Sequence, residues 1–409
     1  MLKRRLPWAG LVALALAGPV LAQDASLHAY IDARLVSAPD QPSWTQGGVG
    51  KARYGRGDNG LQFGGGAVVG TIQATPSLLL YADIQYQTTD RSTLSVVEAY
   101  LRYRPVSTGA WRGSLKLGVF LPPVSLENDA IGWTSPWTIT PSAINSWAGE
   151  ELRAKGLQGE LEWRGERQTL AFGGSLFKGN DPTGTLLDVR GWSLSDLTSG
   201  LGSKLREPDS YLQAFGDPDR PRYDPFQEID GRWGWYANLA WRSPEHGQLT
   251  LMRYDNRGDP AAHTTYDGSA DVFAWRTYFW SAGARTDTGP VTWIAQAMDG
   301  TTEIDPFTGL RLETRFRSAF LLAGWNRGAW RPALRFDHFS TGEYRNGASE
   351  HQGESGNAIT AALNWRPRPW LRLTGEVLHI EGTRSVLQAF GLPTRFNDTQ
   401  LQLNARLIY

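Results

Sequence analysis

Apolar residues recur at every second position in one segment of the chain after another. In "SLHAYIDARLV", Leu27, Ala29, Ile31, Ala33 and Leu35 alternate with His28, Tyr30, Asp32 and Arg34. In "SLLLYADIQYQ", Leu78, Leu80, Ala82, Ile84 and Tyr86 stand against Tyr81, Asp83, Gln85 and Gln87. "VVEAYLRYR" sets Val97, Ala99, Leu101 and Tyr103 against Glu98, Tyr100, Arg102 and Arg104. The last nine residues, "LQLNARLIY", set Leu401, Leu403, Ala405, Leu407 and Tyr409 against Gln402, Asn404 and Arg406. A period of two is that of a strand with one apolar and one polar face. The whole chain supports about sixteen such strands of roughly ten residues, the length that a tilted strand needs to cross a bilayer.

The links between these strands sort by length. Short, turn-forming ones lie at 74–77, 105–110, 164–168, 243–247, 285–290, 326–329 and 366–369. They alternate with mostly longer ones at 38–58, 88–92, 121–149, 179–230, 256–270, 299–311, 340–353 and 381–396. Such sorting predicts an all-β transmembrane barrel, antiparallel and up-and-down, with short periplasmic turns at one end and long extracellular loops at the other. Tyr103, Trp111, Trp163, Trp241, Trp330, Trp365 and Tyr409 share the parity of the apolar face and adjoin the short links, as in an aromatic girdle at the membrane–water interface. The final strand is expected to pair with the first, leaving no edge in lipid.

Composition fits this picture. Of 409 residues 41% are hydrophobic, and the mean hydropathy of −0.38 is what a lipid-facing outside and a water-facing inside give when averaged. Lys3-Arg4-Arg5, the apolar run "LPWAGLVALALAGPV" and Val20-Leu21-Ala22 read as a signal peptide over residues 1–22, leaving 23–409 as one barrel domain exported through the periplasm to the cell outer membrane. There are no cysteines, which excludes a disulfide scaffold. Lys+Arg and Asp+Glu both number 41, so net charge gives no reason to expect nucleic acid as a partner. Only six of the 41 cations are lysines.

The terminal aromatic Tyr409, with Leu401, Leu403 and Leu407 at alternate positions before it, resembles the C-terminal signature of Gram-negative outer-membrane porins. That resemblance implies a sixteen-stranded diffusion channel for small hydrophilic solutes or ions. No enzymatic activity is expected, because barrel enzymes are usually narrower and need a convergent rim dyad or triad that the sequence does not offer. The resemblance also implies an assembly signal read by the barrel-assembly machinery, contact with outer-membrane lipid and lipopolysaccharide, and a homotrimer. "LGVFLPPVSLEND" (117–129) resembles the strand-to-loop segment of phosphate-selective porins, whose anion path is lined by lysines and arginines. The scarcity of lysine departs from that pattern.

Candidate chemistry follows from parity. The lumen is expected to receive Arg34, Asp83, Glu98, Arg102, Arg112, Lys116 and Arg335, among other charges. The third long loop, 121–149, is apolar-aromatic and pinned by Pro122, Pro123, Pro136 and Pro141. In the porin reading it folds inward as the constriction, with Glu127 and Asp129 facing the wall that carries Arg112 and Lys116. The long loop 179–230 contains Asp217, Asp219, Asp224, Glu228 and Asp230, whose spacing fits no known metal loop and reads as solvated charge. No cofactor or metal is expected. Asp337-His338 cannot form an acid–His dyad, because strand neighbours point to opposite faces. Two alternatives to a general diffusion channel remain: an anion- or phosphate-selective porin, and a non-channel barrel acting as an adhesin or rim enzyme.

Overall fold

The computed structural model describes residues 24–87, 93–215, 222–266 and 270–409. The expected signal peptide at 1–22, the link 88–92, and Asp217 and Asp219 lie outside them. The first eight wall strands are β1 (Asp24–Ser37), β2 (Gly60–Thr75), β3 (Leu78–Gln87), β4 (Thr93–Tyr103), β5 (Trp111–Phe120), β6 (Ala154–Arg164), β7 (Thr169–Lys178) and β8 (Gly234–Ser243). The other eight are β9 (Gly247–Asp255), β10 (Arg276–Thr288), β11 (Val291–Phe307), β12 (Leu310–Trp325), β13 (Trp330–Arg345), β14 (Glu354–Arg368), β15 (Leu371–Arg384) and β16 (Arg395–Ile408). Each pairs antiparallel with the next, and β16 pairs with β1, closing a sixteen-stranded barrel. At the seam Ala29 and Tyr409 exchange both backbone hydrogen bonds, at 3.0 and 2.9 Å. Every strand therefore has two neighbours, as backbone surrounded by lipid requires. Among the described residues no helix is long and apolar enough to cross a membrane.

Alternation decides which face each side chain takes. Leu27, Ile31, Leu35, Leu101, Leu115, Leu117, Leu157 and Leu161 are exposed on the outside, whereas Asp32, Arg34, Asp83, Arg335 and Asp337 are buried within. Register breaks change the pattern locally, in β2 beside Asp32 and Ala33 and again in β4. A bulge in β4 opposite Asp83 and Ile84 turns Val97 inward, where it is fully buried rather than outward as simple alternation predicts. At the short-turn end Trp111 stands opposite Trp163, and the Trp330 and Trp365 rings stack with centroids 5.3 Å apart. Trp293, Trp325 and Trp370 join them on the exposed surface at the same end.

The links expected at 299–311 and 340–353 are largely strand. β11 and β12 run on to meet at Thr308-Gly309, and β13 continues to Arg345. Above the apolar belt both faces of a strand are polar, so pairing persists after the alternation that revealed it has faded. The link 256–270 similarly contains a hairpin, His263–Tyr266 against Ala270–Phe273.

The face assignment has a direct consequence on one strand. Leu117→Arg places a charge on the lipid face of β5 and is expected to cost about 2–4 kcal/mol near the bilayer midplane. Ser114→Arg, on the partly open inner face, is expected to stay within about 0.5 kcal/mol of wild type. Urea midpoints in lipid vesicles measure both. Coinciding midpoints would reverse the assignment.

Candidate functional site

The lumen is not an empty tube. Long links fill much of it: 121–153, which carries helix α1 (Ala143–Glu151), and the described parts of 179–233 (179–215 and 222–233), which carry the short helix α2 (Thr185–Val189), joined by buried residues of 43–54 in the link after β1. The first leaves β5 at Pro122-Pro123, where neither residue has an N–H to continue the ladder. Ser125 Oγ then accepts from the Glu127 and Asn128 N–H groups, turning the chain across the barrel. Ser142 caps α1 by accepting from the Asn145 N–H at 3.3 Å. All nine residues of α1 are buried. Its Trp147 ring contacts Trp192 of the other link and Phe279 and Phe316 of the wall, with centroids 6.1, 5.5 and 5.2 Å away. The lumen against β10–β15 thus holds an apolar core.

Arg335 fastens this insert to the wall. Its guanidinium donates to Glu127 and Asp337 at 2.7 Å each, to the Thr140 and Pro141 carbonyls at 2.7 and 3.0 Å, and to the hydroxyls of Thr138 and Thr360 at 3.2 and 3.0 Å. Glu127, the other end of the pair, also accepts from the Ser142 N–H at 2.9 Å and the Asn145 amide at 3.0 Å. Glu376 accepts from the backbone N–H groups of Ile139 and Thr140, and Asn364 donates to the Trp137 carbonyl at 2.6 Å. Wall glycines complete the fit. A Cβ at Gly324 would stand 2.2 Å from the Trp137 ring, and one at Gly283 would stand 2.7 Å from Leu126.

The second insert is held by charge. Asp196 accepts from Arg34 at 2.6 Å and from Arg53 at 2.8 Å. Burial would raise the pKa of Asp196, but the two guanidiniums outweigh it and bring the carboxyl down to about 2. Lys51 pairs with Glu354 at 2.8 Å and donates to the Arg190 carbonyl, while Arg190 pairs with Glu150 of α1 at 2.8 Å. Burial lowers Lys51 to about 8 against the opposing pull of Glu354. Arg153, fully buried, spends its guanidinium on the carbonyls of Val97, Gly149, Leu152 and Ser199, linking both inserts to β4.

The residues singled out from the sequence therefore fall into two groups. Arg34, Asp83, Glu127 and Arg335 are buried under the inserts and bonded there. Arg102, Arg112 and Lys116, beside β4 and β5, stay partly exposed to the lumen. Glu98 lies between the groups and accepts from the Leu121 N–H at 2.9 Å. Glu127 and Asp129 do not face Arg112 and Lys116. Asp129 pairs with Arg285 at 2.6 Å, Arg112 pairs with Glu162 at 2.6 Å, and Lys116 lies over the Tyr100 ring. The loop crosses the lumen instead of returning to the strand it left, and Trp137 and Trp147 pack against the far wall at Gly324, Phe279 and Phe316. His338 points outward to Asn357 while Asp337 points inward to Arg335. Asp181, Glu228 and Asp230 approach one another, but Asp181 binds the N–H groups of Ile229 and Asp230, and Glu228 binds that of Gly179. Sequence reasoning missed Arg153, Asp196 and Asn364, whereas Glu376 faces inward as its parity predicts. Glycines at inward parity, Gly283 and Gly324, were the available sign of a tightly seated loop.

No protein-family profile and no curated protein matches the sequence. Several solved structures share its architecture. The chain is similar to the outer membrane channel DcaP of Acinetobacter baumannii, with 10% identity, a TM-score of 0.52, and 94% and 97% of the two chains covered. It is similar to OmpT, an outer membrane protein of Vibrio cholerae (8% identity, TM-score 0.51, 94% and 97% covered). It is also similar to an anion-selective porin from Comamonas acidovorans (12% identity, TM-score 0.50, 94% and 99% covered). The fold is that of the Gram-negative outer-membrane porins.

Breaking the anchor tests how the insert is held. Arg335→Met leaves Glu127 and Asp337 buried without their cation and is expected to cost about 3–5 kcal/mol. Arg285→Met, which removes a partly exposed pair with Asp129, is expected to cost at most about 1 kcal/mol. Urea unfolding in vesicles, with added protease to detect release of segment 121–153, should separate the two. Equal stabilities would show the insert to be held by its apolar contacts alone.

Proposed function

We propose that the chain is an outer-membrane porin, a passive diffusion channel for small hydrophilic solutes or ions. The observation that carries this reading is the division of the closed barrel's inner face. One side is packed by the inserts, while the wall of β4–β6 presents partly exposed Arg102, Arg112, Lys116 and Glu160. In this reading segment 121–149 is the constriction and solutes pass along that charged wall. Mature chains reach the outer membrane after cleavage near residue 22, contact lipid and lipopolysaccharide, and assemble as homotrimers. No enzymatic step is assigned. The direct test is ion conductance of purified protein in planar bilayers, where a sealed bilayer at every protein concentration would end the channel reading.

A specific feature favours anions. At the short-turn end, a cavity of about 330 Å³ is lined by Arg331, Arg366, Arg372 and Arg406 against the single carboxylate of Asp129. Arg372 has little bonding of its own: its Nη1 lies 3.5 Å from the Ser135 carbonyl and its Nε has no partner. Guanidiniums in a narrow passage act more strongly than in bulk water, subject to screening by salt. On the separate charged wall of β5, the double variant Arg112→Gln with Lys116→Gln is expected to shift the reversal potential under a salt gradient toward cations, if solutes pass along that wall. The double variant Glu127→Gln with Asp129→Asn should act mainly on stability, since Glu127 is fully buried and paired. An unchanged reversal potential in the first variant, with conductance intact, would remove the β5 charges from the ion path.

Assembly rests on the last strand. We assign Leu401, Leu403, Leu407 and Tyr409, all exposed on the outer face, as the signal read by the barrel-assembly machinery. Tyr409→Ser keeps the backbone bonds to Ala29 and removes only the ring. It is expected to lower the amount of heat-modifiable barrel in the outer membrane several-fold. Wild-type levels would leave the ring as one member of the girdle and nothing more.

A further inference from the structure

A second cavity, of about 390 Å³, opens at the long-loop end, where α2, the tips of β11–β13 and the turn Ser385–Phe390 meet. Its volume lies in the range of small-molecule sites, about 300–1,000 Å³. Its walls are largely apolar and aromatic, with Tyr223, Trp275, Ile304 and Val386 among them. Asp188, Glu207, Glu343 and Glu350 bring carboxyl groups to it, against the guanidiniums of Arg345 and Arg384. A fifth acid on the lining, Glu313, is paired with Arg315 at 2.6 Å.

Most of these charges are already engaged. Asp188 accepts from the Thr314 hydroxyl at 2.6 Å, and Arg384 donates to the Asp188 carbonyl at 2.7 Å. Arg345 lies 3.4 Å from Glu350. Glu343 differs. It projects from the inner face of β13, two residues beyond Thr341, and its carboxylate has no hydrogen bond or ion pair among the described residues.

We propose that this cavity binds an organic cation with an apolar, ring-bearing body, its ammonium or amidinium group seated on Glu343. A small hydrated metal cation would gain nothing from the aromatic walls, and an anion would meet the excess of carboxylates. An amphipathic cation satisfies both features: its ring displaces water from apolar surface, and its charge meets a carboxylate that no protein group occupies. The site lies at the opposite end of the barrel from the arginine-lined cavity and does not depend on the channel conducting.

The test uses full-length protein in phosphatidylcholine nanodiscs and three probes that share an indole ring. Tryptamine is cationic, tryptophol neutral and indole-3-propionate anionic. Binding is read by saturation-transfer NMR, with protein-free nanodiscs subtracted. Tryptamine is expected to bind about tenfold more tightly than tryptophol, and indole-3-propionate more weakly than either. Glu343→Gln should bring tryptamine and tryptophol to within about twofold, while Glu343→Asp should keep a preference for tryptamine. Equal affinity for all three probes in the wild type would overturn the site. A tryptamine preference that survives Glu343→Gln would overturn its placement on Glu343. Heat-modifiability of each variant confirms the barrel, and conductance measured in parallel keeps this outcome separate from the channel reading.

Discussion

A guanidinium removed from water must find a donor-for-acceptor match on every side, and Arg335 is where this barrel meets that demand. It has no exposed surface, and its partners come from two wall strands and from a loop that starts across the lumen. Leaving such a charge unpaired is costly, so the conformation of 138–141, which supplies two carbonyls and a hydroxyl, is as constrained as that of the wall. An ammonium could not reach all of these acceptors from one point, which gives a physical reason for arginine rather than lysine here. With the loop fixed at this point, α1 is set against Phe279 and Phe316.

The resulting interior has two dielectric regimes. Against β10–β15, packed rings and paired charges exclude water, and ion pairs there serve as fasteners. Along β4–β6 Arg102, Arg112 and Lys116 stay partly exposed, even where they are paired, as Arg112 is with Glu162. A count of lumen-facing charges from the sequence merges these two populations. The separation matters because a buried pair contributes almost no net field to a passing ion, whereas a solvated arginine does.

The wall was legible because its physics is local. Leu401, Leu403 and Leu407 face out while Gln402 and Asn404 face in, for the same reason that the letters alternate. Legibility failed wherever the local rule ceased to apply. Val97 sits at a bulge that no alternation announces. Residues 299–307 continue as strand after the lipid that demanded alternation has ended. The loop contacts were the largest omission. Proximity in sequence suggested Arg112 and Lys116 as partners for Glu127, but the choice belonged to shape: Trp137 fits only where Gly324 leaves room, and Arg335 lies beside that notch on a strand far along the chain.

The distance along the chain between those partners also carries an entropic cost. Glu127 and Arg335 are separated by 208 residues, and Ala29 waits for Tyr409 before the seam can close. Bringing such remote segments together carries a loop-closure entropy that only the final strands can offset. β13 carries Arg335 and Asp337, which bond Glu127 and the Ala143 N–H, so without that strand the insert lacks its charged anchor. A chain truncated before β13 would keep the strands leading into the insert and lose the wall that holds it. The last third of the polypeptide thus supplies much of the wall on which segment 121–153 is seated.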